Sequence, residues 1–259
     1  MSKLLTKLYQ YDFVRNIKDQ VRPLKHFILG KDGIYFVVDQ IKKARGDQFV
    51  KTIFDVGAAF GDTTITFLKS YPEATIYCFE PQKQSFDRLR RRVRKDFNRV
   101  KFFNIGLYDK QGFLDFHVAS YRDSSSILPL SDSILAQGIY EVDVRKIKVM
   151  TLDVFIKKHS VDRIDLIKID VEGVESALLK GGAETFKNKI DNVFIEISSS
   201  IKEINSAEFR DIFDFFYQAG FTFVGCYVDF FFSKDAKVLK VHLGKKATCL
   251  RLDGTHSLQ

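Results

Sequence analysis

The chain of 259 residues has no tryptophan, four prolines and three cysteines. Cys78, Cys226 and Cys249 are odd in number, lie in strand-like runs and form no C-x-x-C pair. That pattern argues against a disulfide framework or a zinc site, and it reads as reduced core thiols of a cytoplasmic protein. No apolar run approaches the ~20 residues needed to cross a bilayer, and no secretory leader is visible, so no membrane span is expected. No repeat, low-complexity tract or Pro/Gly/Ser-rich linker interrupts the chain. Against these absences stand 26 phenylalanines, 45% hydrophobic and 29% charged residues, values of a globular chain able to bury a sizeable core. The formal net charge of +8 favours acidic partners such as phosphorylated glycans, nucleic acid or anionic lipid without choosing among them.

What the chain does have is a strand–turn–helix transition at residues 52–64, TIFDVGAAFGDTT. Ile53, Phe54 and Val56 predict a strand buried on both faces. Gly57 and Gly61 let the backbone approach a ligand closely, and the next helix offers free N–H groups. Asp62 and Thr63 suit its first turn. The dinucleotide fingerprint G-x-G-x-x-G fails here: counted from Gly57, its second and third glycines are replaced by Ala59 and Asp62. Residues 74–81, ATIYCFEP, predict a second buried strand ending at Glu80, where a carboxylate can accept from both ribose hydroxyls.

Along the chain, Leu4, Leu8, Tyr11 and Val14 fall near helical spacing in residues 3–21. They predict a helix docked on the core, or one that meets a membrane surface or a second subunit. Gly30 and Gly33 mark a turn before a short strand at residues 34–38. Helices are expected at 62–71, 82–97, 152–159, 173–180 and 206–219. Strands are expected at 100–107, 113–119, 147–150, 164–171 and 192–198, with further strands and a hairpin over 221–232 and 238–252. This alternation predicts a doubly wound sheet that binds ligands beyond its strand C-termini, near the switch point. Arg88, Arg90, Arg91, Arg92, Arg94 and Lys95 are either a phosphate-binding patch or a solvated helix face. Phe213, Phe215, Phe216, Tyr217 and Phe230–Phe232 make the C-terminal end a core or dimer interface, or else an acceptor-pocket wall.

DVGAAFGDTT, CFEP, NIGLYDKQG (104–112) and LIKIDVEGVESALLKGG (166–182) together resemble the successive motifs of the FkbM family of class I S-adenosylmethionine-dependent methyltransferases. The resemblance covers residues 51–198, and IKIDVEG-x-E ending in LKGG is its most specific piece. Ser124–Ser126 is similar to a serine-rich loop of that family. It implies an α/β fold: one doubly wound, Rossmann-like methyltransferase sheet over residues 51–259, with antiparallel C-terminal edge strands. Residues 1–50 would be a helical and short-strand extension packed on the core. It also implies cofactor contacts from Asp55, Gly57, Ala58, Gly61, Asp62, Thr63, Glu80, Asn104, Gly106 and Asp170.

By the same resemblance Asp170 lies close to the transferring methyl, as base or acceptor-orienting residue. Glu172 either assists it, receives the cofactor's ammonium, or caps the following helix. Asp170 and Glu172 alternate along a strand, so they face the same way only if the chain turns, which Gly173 makes plausible. Glu175 reads as structural. Glu196 could join Asp170 in a hard-cation site, but without a fuller ligand set no metal is expected. His117 and His159 read as satisfied surface or core residues. The expected activity is O-methylation of a sugar, glycan or other small biosynthetic intermediate, neutral or acidic, with S-adenosylmethionine as cofactor. RNA methylation is an alternative, though Asp-Val-Glu-Gly at the strand end is unlike the Asn/Asp-Pro-Pro-aromatic motif of base N-methylation. A cofactor-binding module without turnover, serving a partner protein, is another. A dimer is compatible with all of these.

Overall fold

The computed structural model describes residues 33–121, 125–196, 207–226 and 230–234. Its first element is a helix, α1 (Gly33–Arg45), so residues 34–38 are helical and not the short strand expected. Ile34, Val37, Val38 and Ile41 recur at helical spacing and are all buried, and Lys42, Lys43 and Arg45 sit in the last turn, where cations suit the helix dipole. Burial of one helical stripe outweighs the β-propensity of IYFVV. The helix expected at residues 3–21 and the strands expected at 238–252 lie outside the described residues.

From there the elements run β1 (Thr52–Val56), α2 (Asp62–Ser70), β2 (Thr75–Phe79), α3 (Lys83–Arg92), β3 (Val100–Phe103), β4 (Gly106–Leu107), β5 (Gly112–Ala119) and α4 (Asp132–Leu135). They continue with β6 (Glu141–Met150), α5 (Leu152–His159), β7 (Leu166–Ile169), α6 (Glu175–Gly181), α7 (Ala183–Lys189), β8 (Asn192–Ile195), α8 (Ala207–Gln218), β9 (Thr222–Cys226) and β10 (Phe230–Ser233). Seven strands form one sheet in the order β3-β2-β1-β7-β8-β10-β9. Strands β3, β2, β1, β7 and β8 are mutually parallel, whereas β10 runs antiparallel to both β8 and β9. The edge strand β9 therefore points the same way as the core. The chain winds outward from β1 to β3 and resumes at β7 on β1's other side, which puts the switch point between β1 and β7.

Period-two alternation splits the sheet's side chains between two cores. Ile53, Ile76, Cys78, Leu166 and Phe194 pack with residues of α1, α2 and α3 on one face. Phe54, Val56, Tyr77, Phe79, Ile167, Ile169 and Val193 pack with Phe155, Leu178, Phe186 and Phe216 on the other. Much of the phenylalanine content is spent there: Phe79 and Phe103 each place a ring centroid 4.7 Å from that of Phe155, and Phe216 stacks on Phe232 at 4.3 Å. Phe216, Phe231 and Phe232 of the aromatic C-terminal end are thus core, whereas Tyr217 is exposed.

Residues 100–107 are not one strand. Asn104 Nδ2 donates to the carbonyls of Glu80 (2.8 Å) and Pro81 (2.9 Å), and beyond this brace β4 enters a second sheet ordered β4-β6-β5. The LKGG motif also has a packing reason. A Cβ on Gly181 would lie 2.1 Å from the Tyr108 carbonyl oxygen, so α6 rests on the β4–β5 turn through a residue that has room for hydrogen alone. Gly181→Ala is expected to destabilise the protein by ~3 kcal/mol in a urea titration, the scale of overpacking against backbone. A loss under ~0.5 kcal/mol would show that the turn yields freely.

Candidate active site

The register of four parallel strands builds the site. Cys78, Asp55, Lys168 and Phe194 are paired across β2, β1, β7 and β8 in one row, so their side chains share a face. Two residues on, each chain has just left its strand, and the next positions on that side are Glu80, Gly57, Asp170 and Glu196. All four line a cavity of about 310 Å³. Its other walls come from the β1–α2 loop, from Gln82 and Ser85, from Gly106 and Leu107, and from Phe116, Ser125 and Ile127 of the second sheet and serine loop.

The β1–α2 loop is held from both sides. The amides of Gly57 and Ala58 both donate to the Phe79 carbonyl at 3.0 Å. Gly57 has φ +75°, Ala59 φ +45° and Gly61 φ +87°. Gly61 begins α2 from this left-handed conformation, and a Cβ there would meet Leu89 Cδ1 at 2.5 Å. Glu80 is buried. Its Oε2 accepts from the Ala59 amide (2.9 Å) and its Oε1 from the Gln82 amide (2.8 Å), so the acidic strand end and the glycine loop are one unit. Burial pushes its carboxyl up to about 7, against the opposing pull of those two N–H groups and of Lys168.

Lys168 also lines the cavity, and sequence reasoning passed over it. It lies inside an apolar strand, 7% exposed, and its Nζ donates to Asp170 Oδ2 (2.8 Å) and to the Gly57 carbonyl (3.1 Å). Burial alone would lower its affinity for a proton, but Asp170, Asp55 and Glu196 outweigh burial and hold the ammonium above the ordinary lysine range. A lysine so held is charged at neutral pH and is not a base.

Of the residues expected at the cofactor, Gly57, Ala58, Asp62, Thr63, Glu80, Gly106 and Asp170 line the cavity, and Asp55, Gly61 and Asn104 do not. Asp55 sits one row down, wholly buried. Its Oδ2 accepts from the Thr64 hydroxyl at 2.5 Å, and its Oδ1 has no hydrogen-bond partner among the described residues. Burial raises its carboxyl, with Lys168 as the main opposing influence. Asn104 is the brace behind Glu80. Glu172 does turn into the cavity, because it adopts φ +53° and is followed by Gly173 at φ +94°. Its carbonyl accepts from the Ser126 hydroxyl at 2.5 Å, which ties the serine loop to this turn. Glu175, not Glu172, receives the nearby amide: its Oε1 accepts from Gly173 N at 3.0 Å.

His117 pairs with Glu141 on the second sheet, and His159 stacks on Phe155 with centroids 4.3 Å apart; neither lines the cavity. The Arg-rich helix is partly committed to structure. Arg92 donates to the Phe60 carbonyl (2.9 Å) and to Asp62 (2.6 Å), and the Arg88 guanidinium lies 4.1 Å from the Phe60 ring centroid. Among the described residues no group of three or more His, Cys, Asp or Glu side chains has the geometry of a metal site. No helix among them is long and apolar enough to cross a membrane.

A mostly parallel, doubly wound sheet with a glycine-turned loop, an acidic second strand end and a carboxylate at the switch point defines a Rossmann-like protein with a crevice beyond its strand C-termini. Residues 55–223 match the model of the Methyltransferase FkbM domain, and the chain belongs to that family. It is 30% identical over 146 residues to the 2-O-methyltransferase NoeI of Sinorhizobium fredii, covering 51% of this chain and 58% of that protein. It is 28% identical over 168 residues to the methyltransferase sdnD of Sordaria araneosa, covering 56% and 65%. The matches thus span about three-fifths of the length of these relatives. Among solved structures it is similar to the METTL16 MTase domain (TM-score 0.46, 11% identity, 78% of this chain and 66% of that one). It is also similar to precorrin-6y C5,15-methyltransferase from Geobacter metallireducens (TM-score 0.42, 9% identity, 77% and 76%).

Proposed function

We propose that the crevice binds S-adenosylmethionine and that the protein methylates a hydroxyl of a sugar or another small biosynthetic intermediate. The observation that carries this reading is the contact between the two lips of the switch point. Gly57 comes so close to Asp170 that a Cβ would lie 1.7 Å from its carbonyl oxygen, so the cofactor loop and the catalytic carboxylate share one wall. The residues fit the cofactor: Gly57 and Ala59 make a backbone cradle, and Glu80 presents buried carboxylate oxygens beside it. Bound there, S-adenosylmethionine supplies a methyl group already activated by its sulfonium charge.

The protein's own part is alignment and proton handling. The Lys168 ammonium takes Asp170 Oδ2, and no hydrogen bond among the described residues claims Oδ1. Oδ1 is the atom that orients an acceptor hydroxyl and takes its proton. Carboxylates outnumber cations among the described lining residues: Asp62, Glu80, Asp170, Glu172 and Glu196 against Lys168. That lining favours an acceptor without phosphate or carboxylate, despite the basic charge of the whole chain. The test is tritiated methyl transfer to paired neutral and phosphorylated sugars. Incorporation into neutral acceptors is expected; tight cofactor binding with no transfer to any hydroxyl would favour the inactive-module reading.

Glu80 makes this reading pH-sensitive. Its ordinary carboxyl value is 4.5 and its folded value about 7. The folded state therefore binds the proton more tightly, and ligand-free stability falls as pH rises across that window. Ribose hydroxyls donate best to the ionised form, so cofactor affinity should rise from pH 6 to pH 8, with a proton released on binding. Glu80→Ala is expected to weaken binding by roughly 10- to 150-fold and to remove the pH dependence. Calorimetry at both pH values reads both effects, and an unchanged dissociation constant would take Glu80 out of the site.

A further inference from the structure

Among the described residues, the side chain of Lys168 bridges the crevice between β1 and β7. Lys168 rises from β7 one row beneath the cavity floor, and its ammonium reaches one acceptor on each lip: the Gly57 carbonyl and the Asp170 carboxylate. The two lips approach closely at Gly57 and Asp170; one backbone bond crosses between them, from Asp170 N to the Val56 carbonyl (3.1 Å), whereas the Gly57 and Ala58 amides are held from β2 by Phe79 O, so no backbone bond ties the loop itself to β7 among the described residues. In the sheet, Lys168 lies beside Asp55 in the same row, and the Asp55 side chain is wholly buried.

We propose that Lys168 is a positioning residue that staples the two lips of the switch-point crevice, fixing the cofactor loop against the Asp170 strand end. A buried ammonium with two directional bonds restricts both Gly57 and the Asp170 side chain, so the loop is preorganised before any ligand arrives. Holding Oδ2 also leaves Oδ1 as the face of Asp170 that the cavity sees. The inference rests on the reading of the crevice as a S-adenosylmethionine site, but the staple itself is a property of the ligand-free chain.

Charge and position can be separated by experiment. Lys168→Met removes the staple and also leaves Asp55 buried without its counter-charge, which costs stability in its own right; Lys168→Met/Asp55→Asn removes both charges together and keeps the local charge balance. Hydrogen exchange is followed in the ligand-free proteins at the amides of Gly57, Ala58, Gly61 and Asp170, all hydrogen-bonded in the fold. The double variant is expected to exchange ~10-fold or more faster there, with amides of β2 and β3 unchanged and with Asp55→Asn alone behaving as wild type. Exchange unchanged at the lips, or raised evenly across the sheet, would overturn the staple. Calorimetry with S-adenosylmethionine should show the double variant binding ~10-fold or more weakly. Because a sulfonium-bearing ligand would gain from loss of a nearby cation and the charge change here is neutral, equal or tighter binding would also overturn it. Should the wild type bind no S-adenosylmethionine, the functional reading fails, and the exchange measurement alone still decides on Lys168.

Discussion

Gly57→Ala is expected to abolish S-adenosylmethionine binding, with an affinity loss beyond ~100-fold. Two effects combine. The residue sits at φ +75°, where a side chain costs roughly 1–2 kcal/mol. The larger effect is steric, since the new Cβ would lie 1.7 Å from the Asp170 carbonyl oxygen, inside any contact distance. Either β1 and β7 separate at their ends or the loop lifts away from Phe79 and Glu80, and both movements dismantle the cradle. Gly138 separates the two effects: it has φ +78° but nothing within 4 Å of an added Cβ. Gly138→Ala should therefore carry the backbone strain alone, ~1 kcal/mol, and leave binding as it was. Calorimetry on both variants, beside a urea titration of each, checks the pair. Binding by Gly57→Ala within ~3-fold of wild type would mean that the loop is not the cofactor's seat.

Asp170→Asn is expected to lower methyl transfer by ~100-fold or more while changing cofactor affinity far less. The Lys168 ammonium donates to Oδ2 at 2.8 Å and has no lone pair to receive an amide N–H. The amide oxygen must therefore face Lys168, and its NH2 is turned into the cavity, where a base is needed. The variant thus loses both charge and the acceptor atom at one stroke. Single-turnover rates with a neutral acceptor, set beside calorimetric affinities, separate the roles. Equal losses in affinity and rate would make Asp170 a cofactor ligand, and wild-type turnover would end its catalytic role.

The strands that carry the site were legible because each is a short apolar run cut by a polar or glycine residue: FDVG, CFEP, IKID and FIE. Residues 52–56, 75–79 and 166–169 fall where the pattern puts them. So does α5, whose bounds match and whose N-cap Thr151 accepts from the Val154 amide. What failed depended on partners distant in sequence. Residues 34–38 have the composition of a strand, and only the second core makes their helical stripe the better burial. Residues 100–107 read as continuous because the Asn104 brace needs Glu80 and Pro81, more than 20 positions earlier. Lys168 in IKID looks like a lapse in an apolar strand until β7 is laid beside β1, 111 residues away at Gly57, and its acceptors become visible. Asp55 shows the opposite case: a carboxylate beside a glycine loop suggests a ligand contact, and its position in the row instead sets it outside the cavity lining, against Thr64.

Calorimetric titration of the purified chain with S-adenosylmethionine and, separately, with NAD tests the reading of the crevice most directly. The glycine loop lacks the third-glycine geometry of a dinucleotide site and is fused to Glu80, so one-to-one binding of S-adenosylmethionine with none of NAD is the expected result. Tight binding of NAD, with no heat from S-adenosylmethionine or its demethylated product, would contradict it.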